Sequence, residues 1–108
     1  MKTHTPIAFA FEDAAVRIIS DDGSPWFVAT DVCEILGISN TTQALQRLDD
    51  DERSMFNIGR SKIHGGGGEV NIINESGLYS LILRSRKPEA KRFRKWVTGE
   101  VLPSISRR

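Results

Sequence analysis

Seven lysines and arginines fall within the twelve residues 84–95, at Arg84, Arg86, Lys87, Lys91, Arg92, Arg94 and Lys95, and the chemistry such a run offers is recognition of a polyanion. Glu89 is the only acid inside the run, so pairing along a helix leaves most of the charge uncompensated. A solvated surface helix of an ordinary globular domain would carry the same pattern. The rest of the chain weighs in favour of a partner. Residues 1–70 hold six Lys or Arg against eleven Asp or Glu, whereas residues 71–108 hold nine against three, an asymmetry hidden by the formal net charge of +1. A basic half beside an acidic half points to a nucleic acid, although the two halves could also neutralise each other inside one fold.

A second set of residues has the chemistry to read bases. Gln43, Gln46 and Arg47 follow one another at spacings that keep them on the outer side of a short helix, with Thr42 beside them. Gln bonds bidentately to adenine and Arg to guanine. Arg60 and Lys62, with His64, lie on the arm of an expected hairpin and are placed as a wing would be to reach a DNA backbone or groove. Against these stands the acidic stretch Asp49 to Glu52, which would repel phosphates if it lay against them.

No catalytic or metal chemistry emerges. His4 and His64 have no Cys, His or carboxylate at ligand spacing. None of Ser24, Ser39, Ser76 and Ser80 sits in a Gly-x-Ser-x-Gly elbow, and the acidic run has no neighbours that would raise a carboxyl pKa for acid-base work. Gly65 to Gly68 is followed by no Gly-Lys-Ser/Thr and starts no helix, so it is read as a hairpin tip rather than a phosphate loop. Cys33, the single cysteine, excludes an internal disulfide and a multi-cysteine zinc site and reads as a small buried hydrophobe. No cofactor is expected.

The elements that must position these side chains follow from periodicity. Ile7 to Phe11, Val16 to Ile19 and Trp26 to Val28 alternate or nearly so, separated by turns at Glu12-Asp13 and Asp21-Asp22-Gly23, which predicts an antiparallel meander. Thr30 is the expected N-cap of a helix carrying Val32, Ile35 and Leu36 inward and ended by Gly37. Asn40 is the expected cap of a second helix from Thr41 to about Asp49, with Ala44, Leu45 and Leu48 inward. Two short helices around a glycine give a helix-turn-helix outline, one that proteins without DNA also contain. Met55 to Ile58 and Glu69 to Ile73 predict a hairpin. Pro88 at a first helical position then begins a helix running to about Thr98, where Gly99 stops it. On that helix Ala90, Phe93, Trp96 and Val97 share one arc of about 120°, and Lys91, Arg92, Arg94 and Lys95 occupy the other side.

Several of these residues together also carry a family resemblance. Trp26-Phe27-Val28-Ala29-Thr30-Asp31-Val32-Cys33, Leu36-Gly37, Asn40, the stretch Asp49 to Glu52, Asn74-Glu75-Ser76-Gly77-Leu78-Tyr79, Arg84-Ser85-Arg86-Lys87-Pro88-Glu89-Ala90, Phe93-Arg94, Trp96-Val97 and Glu100-Val101-Leu102-Pro103 resemble, in order, the BRO N-terminal (Bro-N) domain. That domain is shared by baculovirus repeated-ORF proteins and prophage antirepressors. The resemblance extends from about Phe9 to Ile105. It implies a DNA-binding domain of viral or prophage origin without enzymatic activity, and members that usually continue into a second, variable domain. Trp26, Leu36, Leu78, Phe93 and Trp96 are expected in the core or at helix ends rather than on DNA.

The sequence therefore predicts one α+β domain over residues 1–108, with an N-terminal antiparallel meander, a helix pair, a hairpin and two C-terminal helices whose apolar sides cover the sheet. The expected function is non-enzymatic binding of double-stranded DNA by an antirepressor-type transcriptional regulator of a phage or prophage. The alternative is a module that inactivates a phage or host repressor by direct protein contact; an accessory domain of an enzyme is a third reading. No apolar run approaches the ~18 residues that span a bilayer, which predicts an intracellular protein; the resemblance implies the cytoplasm of a bacterial host. Self-association is compatible with everything above.

Overall fold

The alternating apolar segments form strands where a period of two requires them: β1 at Ile7–Phe11, β2 at Ala14–Asp21 and β3 at Ser24–Val28. The computed structural model describes residues 6–57 and 68–106. Asp22 and Gly23 take φ of 54° and 84° between β2 and β3, the conformation for which Asp-Gly is favoured in two-residue hairpins. Glu12, at φ 54°, serves the equally short turn between β1 and β2. A second hairpin pairs β4, Arg53–Asn57, with β5, Glu69–Ile73, in the register Ser54↔Ile72 and Phe56↔Val70. Its tip, including Arg60, Lys62 and His64, lies outside the described residues.

The meander and the hairpin, which the sequence presents as separate units, are one sheet. β5 pairs with β3 through Phe27↔Ile73 and Val28↔Ile72, giving five antiparallel strands in the order β1-β2-β3-β5-β4. Alternation then sends Val16, Ile18, Phe27 and Ile73 to one face, where helices cover them, and Ile19, Val28 and Ile72 to the other, where Trp26, Phe56 and Val70 pack beside them.

The chain leaves β3 directly into α1, Ala29–Leu36, whose first turn follows Val28. Thr30 is therefore inside the helix and exposed rather than its cap, because the pairing of Val28 with Ile72 holds the chain in the sheet to the last residue before the helix. Asp31 in that first turn does a different job. Its carboxylate accepts from the Arg17 backbone N–H at 2.9 Å and from the Arg17 guanidinium at 2.9 and 3.0 Å. It thus satisfies a β2 donor beyond the end of β3's pairing, and it holds the guanidinium even more firmly protonated than usual.

Gly37 ends α1 in the left-handed region, φ 74°, and a Cβ there would lie 2.4 Å from Lys87 Cδ. The helix α2, Thr41–Gln46, begins as expected from Asn40, whose Oδ1 accepts from the Gln43 N–H at 3.0 Å. It stops at Gln46 instead of about Asp49, since Asp49 opens a 3-10 turn over Asp50–Glu52 with its own reciprocal cap. Ala44, Leu45 and Leu48 are buried as predicted.

The helix α3, Glu75–Arg84, starts at Asn74, which accepts from the Gly77 N–H at 2.9 Å. Gly77 packs against the 3-10 turn so closely that a Cβ would sit 2.9 Å from the Glu52 carbonyl oxygen. The Asn-Glu-Ser-Gly motif is thereby explained as a helix start fitted under a turn.

After Lys87, α4 runs from Pro88 to Trp96. Ala90, Phe93 and Val97 are buried, and Trp96 is half-buried against Phe9 and Phe11, as the 3.6-residue pattern predicts. Gly99 does not stop this helix. The chain widens into a π turn over Val97–Val101, closed by a bond from the Leu102 N–H to the Val97 carbonyl, and continues as α5, Leu102–Ser106. Pro103 gives the physical reason, because it cannot donate to the Gly99 carbonyl and its ring would clash there in a regular helix. The widened turn relieves that clash while keeping Val97 and Val101 in the core.

Candidate nucleic-acid interface

Ten lysines and arginines belong to the described residues, and the fold divides them by partner. Three are bound within the domain. Arg17 is held by Asp31, and Arg53 donates to the Leu45 carbonyl at 2.9 Å and to Asp50 at 3.0 Å. Arg92 is the third. Its guanidinium meets Glu12 of the β1–β2 turn at 2.7 Å, a contact across 80 residues that sequence spacing could not reveal. The ridge on α4 is therefore partly neutralised from outside its own helix, and the Glu12 carboxyl is held below the usual carboxylate range by that hydrogen bond. The other seven, Arg47, Arg84, Arg86, Lys87, Lys91, Arg94 and Lys95, are all exposed and form no ion pair with any described residue.

Three of the four side chains in the acidic stretch are engaged within the domain. Asp50 binds Arg53. Asp49 caps the 3-10 turn, while Glu52 accepts from the Asp49 N–H at 2.9 Å and from the Ser76 hydroxyl at 2.5 Å. These bonds, Ser76 first, hold the Glu52 carboxyl below its ordinary range. The run acts as structural glue between α2, β4 and α3, which accounts for its presence in a domain whose other charges favour an anion.

Four of the expected contact residues converge. A groove of about 540 Å³ has Asn40, Gln43 and Arg47 on one wall and Leu83, Arg84 and Arg86 on the other. It joins residues some forty positions apart in sequence. What holds the walls together is Ser85, whose hydroxyl donates at 2.8 Å to the Leu36 carbonyl near the end of α1. The α3–α4 connection is thus pinned beside the α1–α2 turn, and the Lys87 stem lies over Gly37 next to it. Gln46 is exposed on α2 but outside the groove walls, and Lys91, Arg94 and Lys95 are exposed along α4. Arg60 and Lys62 lie outside the described residues. Leu83 and Ser85 were not expected as site residues. Ser85 carried no signal, since nothing in sequence tells a loop serine which distant carbonyl it will meet; Leu83 carried a weak one, an apolar residue immediately before the first arginine of the run.

The Ser85 contact gives a prediction. Ser85→Ala should destabilise the domain by about 0.5–1.5 kcal/mol, the usual net value of one such bond, measured by urea denaturation. It should also weaken anion binding without removing any charge. Unchanged binding would show that the loop holds its place by other contacts.

Chemically the groove offers cations, amide groups and the Ser39 and Ser85 hydroxyls. Cys33 is 1% exposed and its thiol is pushed up by burial, the opposite of a thiolate nucleophile. Among the described residues no group of three His, Cys, Asp or Glu side chains is placed to hold a metal ion, and no helix is long and apolar enough to cross a membrane.

Comparison with known proteins agrees with the resemblance carried by the motifs. The chain is 45% identical to an uncharacterised protein of Haemophilus influenzae, over 90% of this chain and 48% of that protein. It is 30% and 32% identical to two Bro-N domain-containing proteins of Invertebrate iridescent virus 6, over 96% of this chain and 29% of each. It thus spans about half the length of the first relative and less than a third of the viral ones. No solved structure matches it. The model of the BRO family N-terminal domain covers residues 15–103, from the second strand to the start of α5, and the chain belongs to that family as a Bro-N domain.

Proposed function

We propose that this domain binds duplex DNA without catalysing a reaction, using the groove between α2 and the α3–α4 connection together with the exposed cations of α4. The observation that carries the reading is the sorting of charge. Arg47, Arg84 and Arg86 converge on one groove with no acidic partner among the described residues, while Asp31, Asp50 and Glu12 are bound to Arg17, Arg53 and Arg92, and Glu52 to the start of α3. Phosphate contacts from Arg84, Arg86, Lys87, Lys91, Arg94 and Lys95 would fix position, and Gln43, Gln46 and Arg47 would contact base edges. The two-helix segment would then serve as a shortened helix-turn-helix, with a second helix of only six residues. Arg60 and Lys62 would add backbone contacts from the hairpin.

On this reading the chain is the DNA-binding part of a viral or prophage regulator of the antirepressor type, acting in the cytoplasm of a bacterial host, and residues 1–108 form one such unit. Membership of the Bro-N family and the occurrence of the domain in viral proteins support it. The test is a titration against random duplex DNA at several salt concentrations. Binding in about the micromolar range at physiological salt, with log K falling linearly against log salt, is expected of a non-specific basic surface. A second arm adds the chain to a preformed repressor–operator complex. Release of repressor at concentrations where free DNA is not bound would favour direct protein contact instead.

A further inference from the structure

We infer that Leu83 is a base-reading residue, contacting the C5-methyl group of a thymine beside an adenine bound by Gln43; this rests on the duplex-binding reading of the groove. Leu83 is 85% exposed, the most exposed large apolar side chain among the described residues, although it lies in the last turn of the same helix that buries Leu78, Leu81 and Ile82. Its position does not serve the core. It lies instead on the wall of the groove that also carries Arg84 and Arg86, across from Gln43 and Arg47.

The chemistry of that grouping is selective. Arginines on both walls attract phosphates and make a purely apolar occupant unfavourable, so an aliphatic partner for Leu83 has to come with negative charge nearby. In the major groove a thymine presents the one aliphatic group of any base edge, beside the adenine donor–acceptor pair that a glutamine amide matches. Gln43 and Leu83 on facing walls can therefore distinguish an A·T pair, or a step containing one, from G·C. Arg47 in the same groove suits a neighbouring guanine.

The test uses the whole chain. A preferred duplex is first selected from random sequences, and each thymine is then replaced singly by deoxyuridine, which removes only the methyl. Affinity is expected to fall about fourfold at one or two positions, the value of one buried methyl-sized group, and to be unchanged elsewhere. Leu83→Ala, at so exposed a position, should leave the fold and the salt slope intact and abolish that discrimination. Retention of it by Leu83→Ala, or no position at which deoxyuridine matters while the duplex still binds, would overturn the assignment and leave the interface standing. A loss of self-association in Leu83→Ala with DNA affinity unchanged would assign the residue to a contact between copies and also overturn it. No binding to any duplex would remove both the interface and this reading.

Discussion

Replacing Arg47, Arg84 and Arg86 together by Gln is expected to leave the fold intact and reduce the slope of log K against log salt by about 1.8, close to 0.9 for each of the two phosphates that Arg84 and Arg86 no longer neutralise, Arg47 being placed on a base edge. The three guanidinium groups have no ion pair with a described residue, so their removal leaves no buried carboxylate behind and far-UV circular dichroism should not change. On random DNA the decrease in affinity should be the same for every sequence. On a preferred site Arg47→Ala alone should cost about 1–3 kcal/mol and much less on random DNA, because only a base contact distinguishes the two. An unaltered slope in the triple variant would mean that the groove is a solvated surface and that the binding cations lie elsewhere.

The second large effect concerns stability. Phe93→Ala should lower the unfolding free energy by about 3–5 kcal/mol, as seen when a buried aromatic is truncated, which is a large part of the roughly 5–15 kcal/mol that holds a small domain together. Phe93 is fully buried, and its ring lies 5.2 Å from that of Phe11 and 5.7 Å from that of Trp96, so it ties α4 to β1. Urea denaturation followed by circular dichroism gives the number. A decrease below about 1 kcal/mol would show that α4 does not pack through this residue and that the ridge it carries is not rigidly placed.

The inward face of α4 was legible because a helix repeats every 3.6 residues and four apolar positions agreed with that period. The strands were legible for the same reason at a period of two, and Asp22-Gly23 marked their turn. What sequence could not show were contacts that depend on distant partners. Glu12 and Arg92 are 80 positions apart, and only the packing of α4 over β1 brings them together. The pairing of β3 with β5 likewise rests on a tertiary choice between edges. Gly99 misled because a glycine usually ends a helix, whereas here Pro103 four residues later set the local geometry and the burial of Val97 and Val101 kept the chain helical. Of the expected contact residues, Gln43 and Gln46 on α2 and Arg47 just after it are exposed, as the sequence predicts. That Gln43 and Arg47 face Arg84 and Arg86 across one groove became visible only in three dimensions.

The most direct test of the interface is an amide ¹⁵N–¹H correlation spectrum of the chain titrated with a short duplex. Progressive shifts concentrated at Gln43, Arg47 and Arg84 to Lys87, with smaller ones along Lys91 to Lys95 and none at Ile19, Trp26 or Phe56 on the opposite face of the sheet, are the result predicted here. Shifts confined to that opposite face, or a spectrum unchanged by DNA at low salt, would contradict it.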